Sequence, residues 1–82
     1  MSDWLLKAQK QYDVWAREMV GVAVTGESLR IMLQLFVGPP PEAKMWRTLF
    51  KFFVDNEMLK WTGEFMPTQS GKKSSKLYEV LK

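Results

Sequence analysis

The chain has 82 residues, of which 46% are apolar, including four tryptophans and five phenylalanines. This length suits one domain, and the apolar content is enough to order one compact core. The absence of cysteine and histidine excludes disulfide bonds, thiolate nucleophiles and the usual zinc ligands. The first residues lack a basic stretch followed by an apolar one, and no run of about 18 apolar residues occurs. We therefore expect a cytoplasmic protein without a membrane partner.

The formal net charge of +3 is unevenly distributed along the chain. Residues 1–65 contain eight lysines or arginines and eight aspartates or glutamates, so their charges cancel. Residues 66–82 contain four lysines and one glutamate, which account for the whole excess. A concentration of positive charge on one short segment favours contact with an acidic polymer, and the alternative is a solvated C-terminal tail.

Residues 1–20 are predicted to form the first helix. Apolar side chains recur there at steps of three and four residues, which places them on one face of a helix. That face carries Trp4, Ala8, Tyr12, Trp15 and Met19. Its two tryptophans are predicted to lie in the core or in a subunit interface, so a homodimer through this helix is compatible with the sequence.

Residues 22–24 are too few for more than one edge strand. Two further helices are predicted after this segment. The second helix begins at Thr25, whose side chain is a good N-cap. It ends at Gly38, because glycine can adopt the left-handed cap and the three prolines after it cannot continue a helix. The third helix spans residues 42–57, with Pro41 in its first turn.

The third helix has two chemically different faces when its residues are placed 100° apart. The apolar face carries Trp46, Leu49, Phe50 and Phe53. The opposite face carries Lys44, Arg47, Thr48, Lys51 and Asp55. Met45 and Phe52 lie at the border of the polar face, where they either act as wedges against a partner or pack under the following segment.

After the third helix the apolar period changes from helical to alternating, which predicts a β-hairpin over residues 58–82. The first strand alternates through Leu59, Trp61 and Phe65. It is predicted to bend at Gly63. Residues 67–74 have turn composition throughout. The alternation in the second strand does not decide which of its faces points inward. We favour the face that carries Tyr78 and Val80.

The order of these elements predicts an α+β domain, mainly α, with three helices and a C-terminal β-hairpin. Residues 25–57 form a helix-turn-helix in this interpretation, and residues 58–82 form a wing. In a helix-turn-helix the second helix of the pair enters the major groove of DNA, while neighbouring parts contact phosphates. We therefore expect the third helix to read double-stranded DNA.

The candidate DNA contacts divide between the third helix and the wing. Arg47 is the best candidate for a base contact, because its planar group can pair with two acceptors of guanine. The wing lysines are interleaved with Ser70, Ser74 and Ser75, and cations among small hydroxyl groups suit phosphate contacts. The predicted DNA-binding residues are Lys44, Arg47, Thr48, Lys51, Lys72, Lys73 and Lys76.

From residue 25 onward the chain resembles the small winged helix-turn-helix domains often encoded by bacteriophages and bacteria. The resemblance rests on Thr-Gly-Glu at 25–27 and again at 62–64, the prolines at 39–41, and Trp46 early in the third helix. Arg47 and Asn56 depart from it, where those domains often have a small residue and a glycine. The resemblance implies a winged fold and nucleic-acid binding by a phage-type regulator or replication accessory.

Two classes of function remain open from the sequence. The first is a DNA-binding module. The second is a protein-interaction module that binds or inhibits a host protein, which the surplus of large apolar side chains suggests. The residues that suggest it are Trp4, Trp15, Met45 and Phe52. Neither an enzymatic activity nor a cofactor is expected, because the acidic residues lack paired or metal-binding spacing.

Overall fold

A computed structural model describes residues 3–67 and 74–81 as three helices and a three-stranded antiparallel sheet, which confirms the α+β class. The elements are α1 (Asp3–Ala16), β1 (Ala23–Thr25), α2 (Gly26–Val37), α3 (Met45–Asp55), β2 (Leu59–Pro67) and β3 (Ser74–Val80). The expected arrangement of three helices and then a two-stranded hairpin needs correction, because the short strand expected at residues 22–24, which is β1, pairs with β3 and makes the sheet three-stranded. None of the described helices is long and apolar enough to cross a bilayer.

The sheet has the strand order β1-β3-β2, so the β2–β3 hairpin is extended by β1 at the edge of β3. Along the hairpin, Trp61 pairs with Tyr78 and Phe65 pairs with Lys76, and the register shifts between these two pairs. Gly63 lies in this interval with a φ of 91°, a conformation that favours glycine. The expected bend at Gly63 is confirmed.

The core lies between the three helices and one face of the sheet. Its buried residues are Trp4, Ala8, Tyr12, Ala16, Val24, Leu29, Leu33, Trp46, Leu49, Phe53, Leu59 and Val80. Trp4 packs edge-on against Trp46, with ring centroids 5.0 Å apart, so it is a core residue and not an exposed interface residue. Val80 is buried and Tyr78 is half-buried, which confirms the favoured inward face of β3.

Both predicted ends of α2 are confirmed. The side chain of Thr25 accepts a hydrogen bond from the amide of Ser28 at 3.1 Å, as an N-cap does. Gly38 follows the helix with a φ of 78°. The indole nitrogen of Trp4 donates to the carbonyl of Gly38 at 2.8 Å, which holds the start of α1 against the connection between α2 and α3.

The first and third helices are shorter than predicted. α1 ends at Ala16 and not at residue 20, because the chain turns towards the sheet, where the amide of Gly21 donates to the carbonyl of Val80 at 2.8 Å. α3 begins at Met45 and not at residue 42. Before Met45 the chain forms tighter turns, in which the amides of Met45 and Trp46 donate to the carbonyls three residues back, so Pro41 lies in the connection.

Tyr12 joins α1 to the start of β2 inside the core. Its hydroxyl donates to the carbonyl of Met58 at 2.8 Å, and its ring stacks on Phe53. Burial and, to a smaller extent, the charge of Asp13 raise the pKa of Tyr12 above its ordinary value of 10.0. A group whose pKa is higher in the folded state contributes stability below its unfolded pKa, and this contribution is lost as the pH rises above that value.

We therefore expect the free energy of unfolding to fall above about pH 10, with Tyr12 contributing at most about 1.4 kcal/mol per pH unit. The variant Tyr12→Phe lacks this hydrogen bond, so its free energy of unfolding at neutral pH should be lower by about 1 kcal/mol. It should also lack the fall of the free energy of unfolding at alkaline pH that the hydroxyl causes. Urea denaturation from about pH 8 to about pH 11 measures both effects. Parallel pH profiles for the two proteins would show that Tyr12 does not carry this linkage.

Candidate nucleic-acid interface

A groove runs between α3 and β3 and continues to the amino end of α2. It consists of two adjoining hollows of about 450 Å³ and 410 Å³, whose walls share Arg47, Phe50, Lys76 and Tyr78. We call it the basic groove, because four cations of the described residues line it. These are Arg30, Arg47, Lys51 and Lys76.

Aromatic rings form a rigid wall of the basic groove. Phe50 of α3 stacks on Tyr78 of β3, with ring centroids 5.9 Å apart and planes within 8° of parallel. Phe50 also contacts Phe53, which anchors the wall in the core. Burial raises the pKa of Tyr78 above its ordinary value of 10.0. A phenol is protonated at neutral pH even at the ordinary value, so it can donate a hydrogen bond.

The amino end of α2 closes one side of the groove. Gly26 packs so tightly against β3 that an added Cβ would lie 3.3 Å from the hydroxyl oxygen of Ser75. That hydroxyl accepts a hydrogen bond from the amide of Glu27 at 3.0 Å. Ser75, which the sequence places among the phosphate-contacting hydroxyls, therefore connects the hairpin to α2.

Arg30 is not among the predicted DNA-binding residues, yet it lines the basic groove. Its guanidinium carbon lies 5.2 Å from the ring centroid of Trp46, a cation–π contact that orients an otherwise exposed side chain. Trp46 belongs to α3, so this contact brings a cation of α2 beside Arg47. The sequence offers one signal, which is that Arg30 is the single basic residue of a mostly apolar helix.

The predicted residues of α3 do not all lie in the groove. Arg47 and Lys51 line it, but Lys44 is the N-cap residue, and its ammonium lies 3.5 Å from the carboxylate of Glu42. Thr48 is exposed and borders neither of the two hollows. Because the helix begins only at Met45, Lys44 lies before the helical row of Arg47 and Lys51.

Of the predicted wing lysines, Lys76 lines the basic groove. Lys72 and Lys73 lie outside the described residues, in the connection between β2 and β3. Lys76 lines both hollows, as Arg47 does, so a cation of the hairpin and a cation of α3 share one concave surface.

Two carboxylates also border the basic groove. Glu27 lies at the amino end of α2, in the larger hollow, and Asp55 lies at the end of α3, in the smaller one. Among the described residues, four cations against two carboxylates leave a positive balance. The cations Arg47 and Lys76 belong to both hollows, so this balance is centred where the hollows meet.

Phe52 lies away from the basic groove, although the sequence pattern places it near the polar face of α3. It lines a separate hollow of about 420 Å³ together with Arg17 and Met58. Its ring meets Phe53 edge to face, with centroids 6.1 Å apart. Phe52 is therefore a half-buried packing residue and not a wedge beside Arg47.

The basic groove combines guanidinium and ammonium groups with a neutral phenol donor, which is the chemistry that binds a chain of phosphates. Comparison of the chain with protein-family models, with curated proteins and with solved structures gives no match.

Proposed function

We propose that this chain is a DNA-binding module of the winged helix-turn-helix kind, and not an enzyme. The observation that carries the proposal is the basic groove, where Arg47 and Lys51 of α3 line the same hollow as Lys76 of β3. The helix order and the strand order β1-β3-β2 support the winged arrangement. In this placement α3 enters the major groove and the hairpin lies along the phosphate backbone.

The four cations have different roles in the proposed complex. Arg47 contacts a base edge, because its planar group can pair with two acceptors of guanine. Lys51 and Lys76 contact phosphates as point charges, and Arg30 extends the row of contacts towards α2. Lys72 and Lys73, which lie outside the described residues, are the further phosphate contacts that the sequence predicts. Such a module acts on DNA in the bacterial cytoplasm, as a phage-type regulator or a replication accessory.

Titration of a fluorescently labelled duplex at two salt concentrations tests this function. We expect binding at about 50 mM salt that weakens steeply by about 200 mM, because phosphate contacts release counterions. The phosphate contacts of Arg30, Lys51 and Lys76 give a slope of log affinity against log salt of about −2.7, and the proposed contacts of Lys72 and Lys73 make it steeper. Absence of binding at the lower concentration, or an affinity that does not change with salt, would contradict the proposal.

A protein-binding module is the second candidate, and an exposed apolar patch on α2 favours it. Leu35 is 78% exposed, and Ile31 lies one helical turn before it, opposite the buried Leu29 and Leu33. Phe36 is also exposed.

Of the residues that first suggested this function, Trp4 is buried, and Trp15, Met45 and Phe52 are half-buried. Absence of any DNA binding together with a solvent-accessible α2 patch would favour this candidate over the first.

A further inference from the structure

The hairpin exposes two aromatic rings that do not belong to the core cluster of the described residues. Trp61 is 42% exposed and Phe65 is 56% exposed, although the rings meet each other edge to face with centroids 5.4 Å apart. Large exposed aromatic rings are costly to leave in water when no ligand covers them. We call Trp61 and Phe65 the hairpin aromatic pair.

The strand register places the hairpin aromatic pair on the same face of the sheet as the basic groove. Trp61 pairs with Tyr78, and Phe65 pairs with Lys76. Residues that are directly opposite on antiparallel strands share a face of the sheet. Since Tyr78 and Lys76 line the basic groove, the aromatic pair continues that face towards the outer end of the hairpin.

Lys76 connects the aromatic pair with the groove. Its ammonium lies 4.9 Å from the ring centroid of Trp61 while the same side chain lines the groove. Sites for single-stranded nucleic acid combine these two groups, because a base stacks on the ring and the cation contacts a phosphate beside that base. The positive charge beside the rings therefore favours a nucleotide over an uncharged apolar partner.

Trp61 is held in a fixed orientation before any ligand binds. Its indole nitrogen donates to the carbonyl of Glu64 at 3.0 Å. The hydroxyl of Thr62 donates to the carbonyl of Leu77 at 3.0 Å and fixes the bend next to it. A ring that is already oriented loses less conformational entropy on binding.

We propose that the hairpin aromatic pair, with Lys76, is a stacking site for an unpaired base next to the duplex that occupies the basic groove. This inference rests on the proposed DNA-binding function and deepens it by naming the ligand, a duplex with a single-stranded overhang. The duplex lies on α3 and Lys76, and the first unpaired bases stack on Trp61 and Phe65.

The test compares a blunt duplex with the same duplex carrying a short thymine overhang. The chain binds the overhang duplex about tenfold more tightly. The double variant Trp61→Leu, Phe65→Leu binds both ligands with the affinity that the original chain has for the blunt duplex. The variant Phe36→Leu is the matched control, because it removes an exposed ring of α2, and it keeps the tenfold preference.

The outcomes separate this inference from the proposed function. Equal affinity of the original chain for the two ligands, or a preference that the double variant retains, overturns the stacking site and leaves the groove proposal intact. Binding to neither ligand at low salt overturns the proposed function and this inference with it. The comparison of the two ligands on the original chain needs no variant to fold, and thermal unfolding verifies that the double variant is folded.

Discussion

Replacing Arg47, Lys51 and Lys76 together by glutamine is expected to weaken duplex binding by about a hundredfold or more. These three cations line the hollow between α3 and β3, and their side chains are exposed. Their removal therefore leaves the core intact and takes away the charge that meets phosphate. The slope of log affinity against log salt should become shallower by about 1.8, because the two phosphate contacts of Lys51 and Lys76 no longer release about 0.9 counterion each.

A second triple variant separates the groove from overall charge. Replacing Lys7, Lys10 and Arg17 by glutamine removes three cations of α1 and of the turn after it, and none of them lines the basic groove. Either variant lowers the formal net charge from +3 to zero. We expect the α1 variant to keep most of its affinity and its salt slope. An equal loss in both variants would mean that net charge, and not the groove, governs binding.

The substitution Phe53→Ala is expected to have the largest effect on stability, a loss of about 3–5 kcal/mol. Phe53 is fully buried and lies between Tyr12, which stacks on it at a centroid distance of 4.2 Å, and Phe50, which meets it edge-on at 6.3 Å. Its removal leaves a cavity where α1, α3 and the groove wall meet. For a domain of this size the midpoint of thermal unfolding should fall by at least about 12 °C.

The neighbouring substitution Val54→Ala is the matched control for Phe53→Ala. Val54 lies on the same helix but is exposed, so its truncation should change the free energy of unfolding by less than about 0.5 kcal/mol. Urea denaturation of the two variants measures both changes. Similar losses at the two positions would show that Phe53 is not part of the core described above.

The parts of the fold that follow from local chemistry could be predicted from the sequence. α2 begins after Thr25 and ends before Gly38, because a capping side chain and a glycine with a positive φ act within a few residues of the helix. The buried face of α3 follows from the spacing of Leu49 and Phe53. The bend at Gly63 likewise depends on the one residue that tolerates it.

The parts that depend on contacts distant in sequence could not be predicted in this way. The end of α1 depends on the bond from the amide of Gly21 to Val80, and β1 becomes a strand only by pairing with β3. Arg30 enters the candidate site because Trp46, on another helix, binds its guanidinium. Ser75 serves an internal contact because α2 packs against β3. Composition alone predicts none of these pairings.

A map of backbone amide chemical shifts during titration with duplex DNA tests the central claim most directly. The basic groove predicts the largest shifts at Arg30, Arg47, Lys51 and Lys76, with little change at Leu35 and Phe36 on the apolar patch of α2. Shifts confined to the α2 patch, or a spectrum that DNA leaves unchanged at low salt, would contradict the assignment of the basic groove as a DNA-binding site.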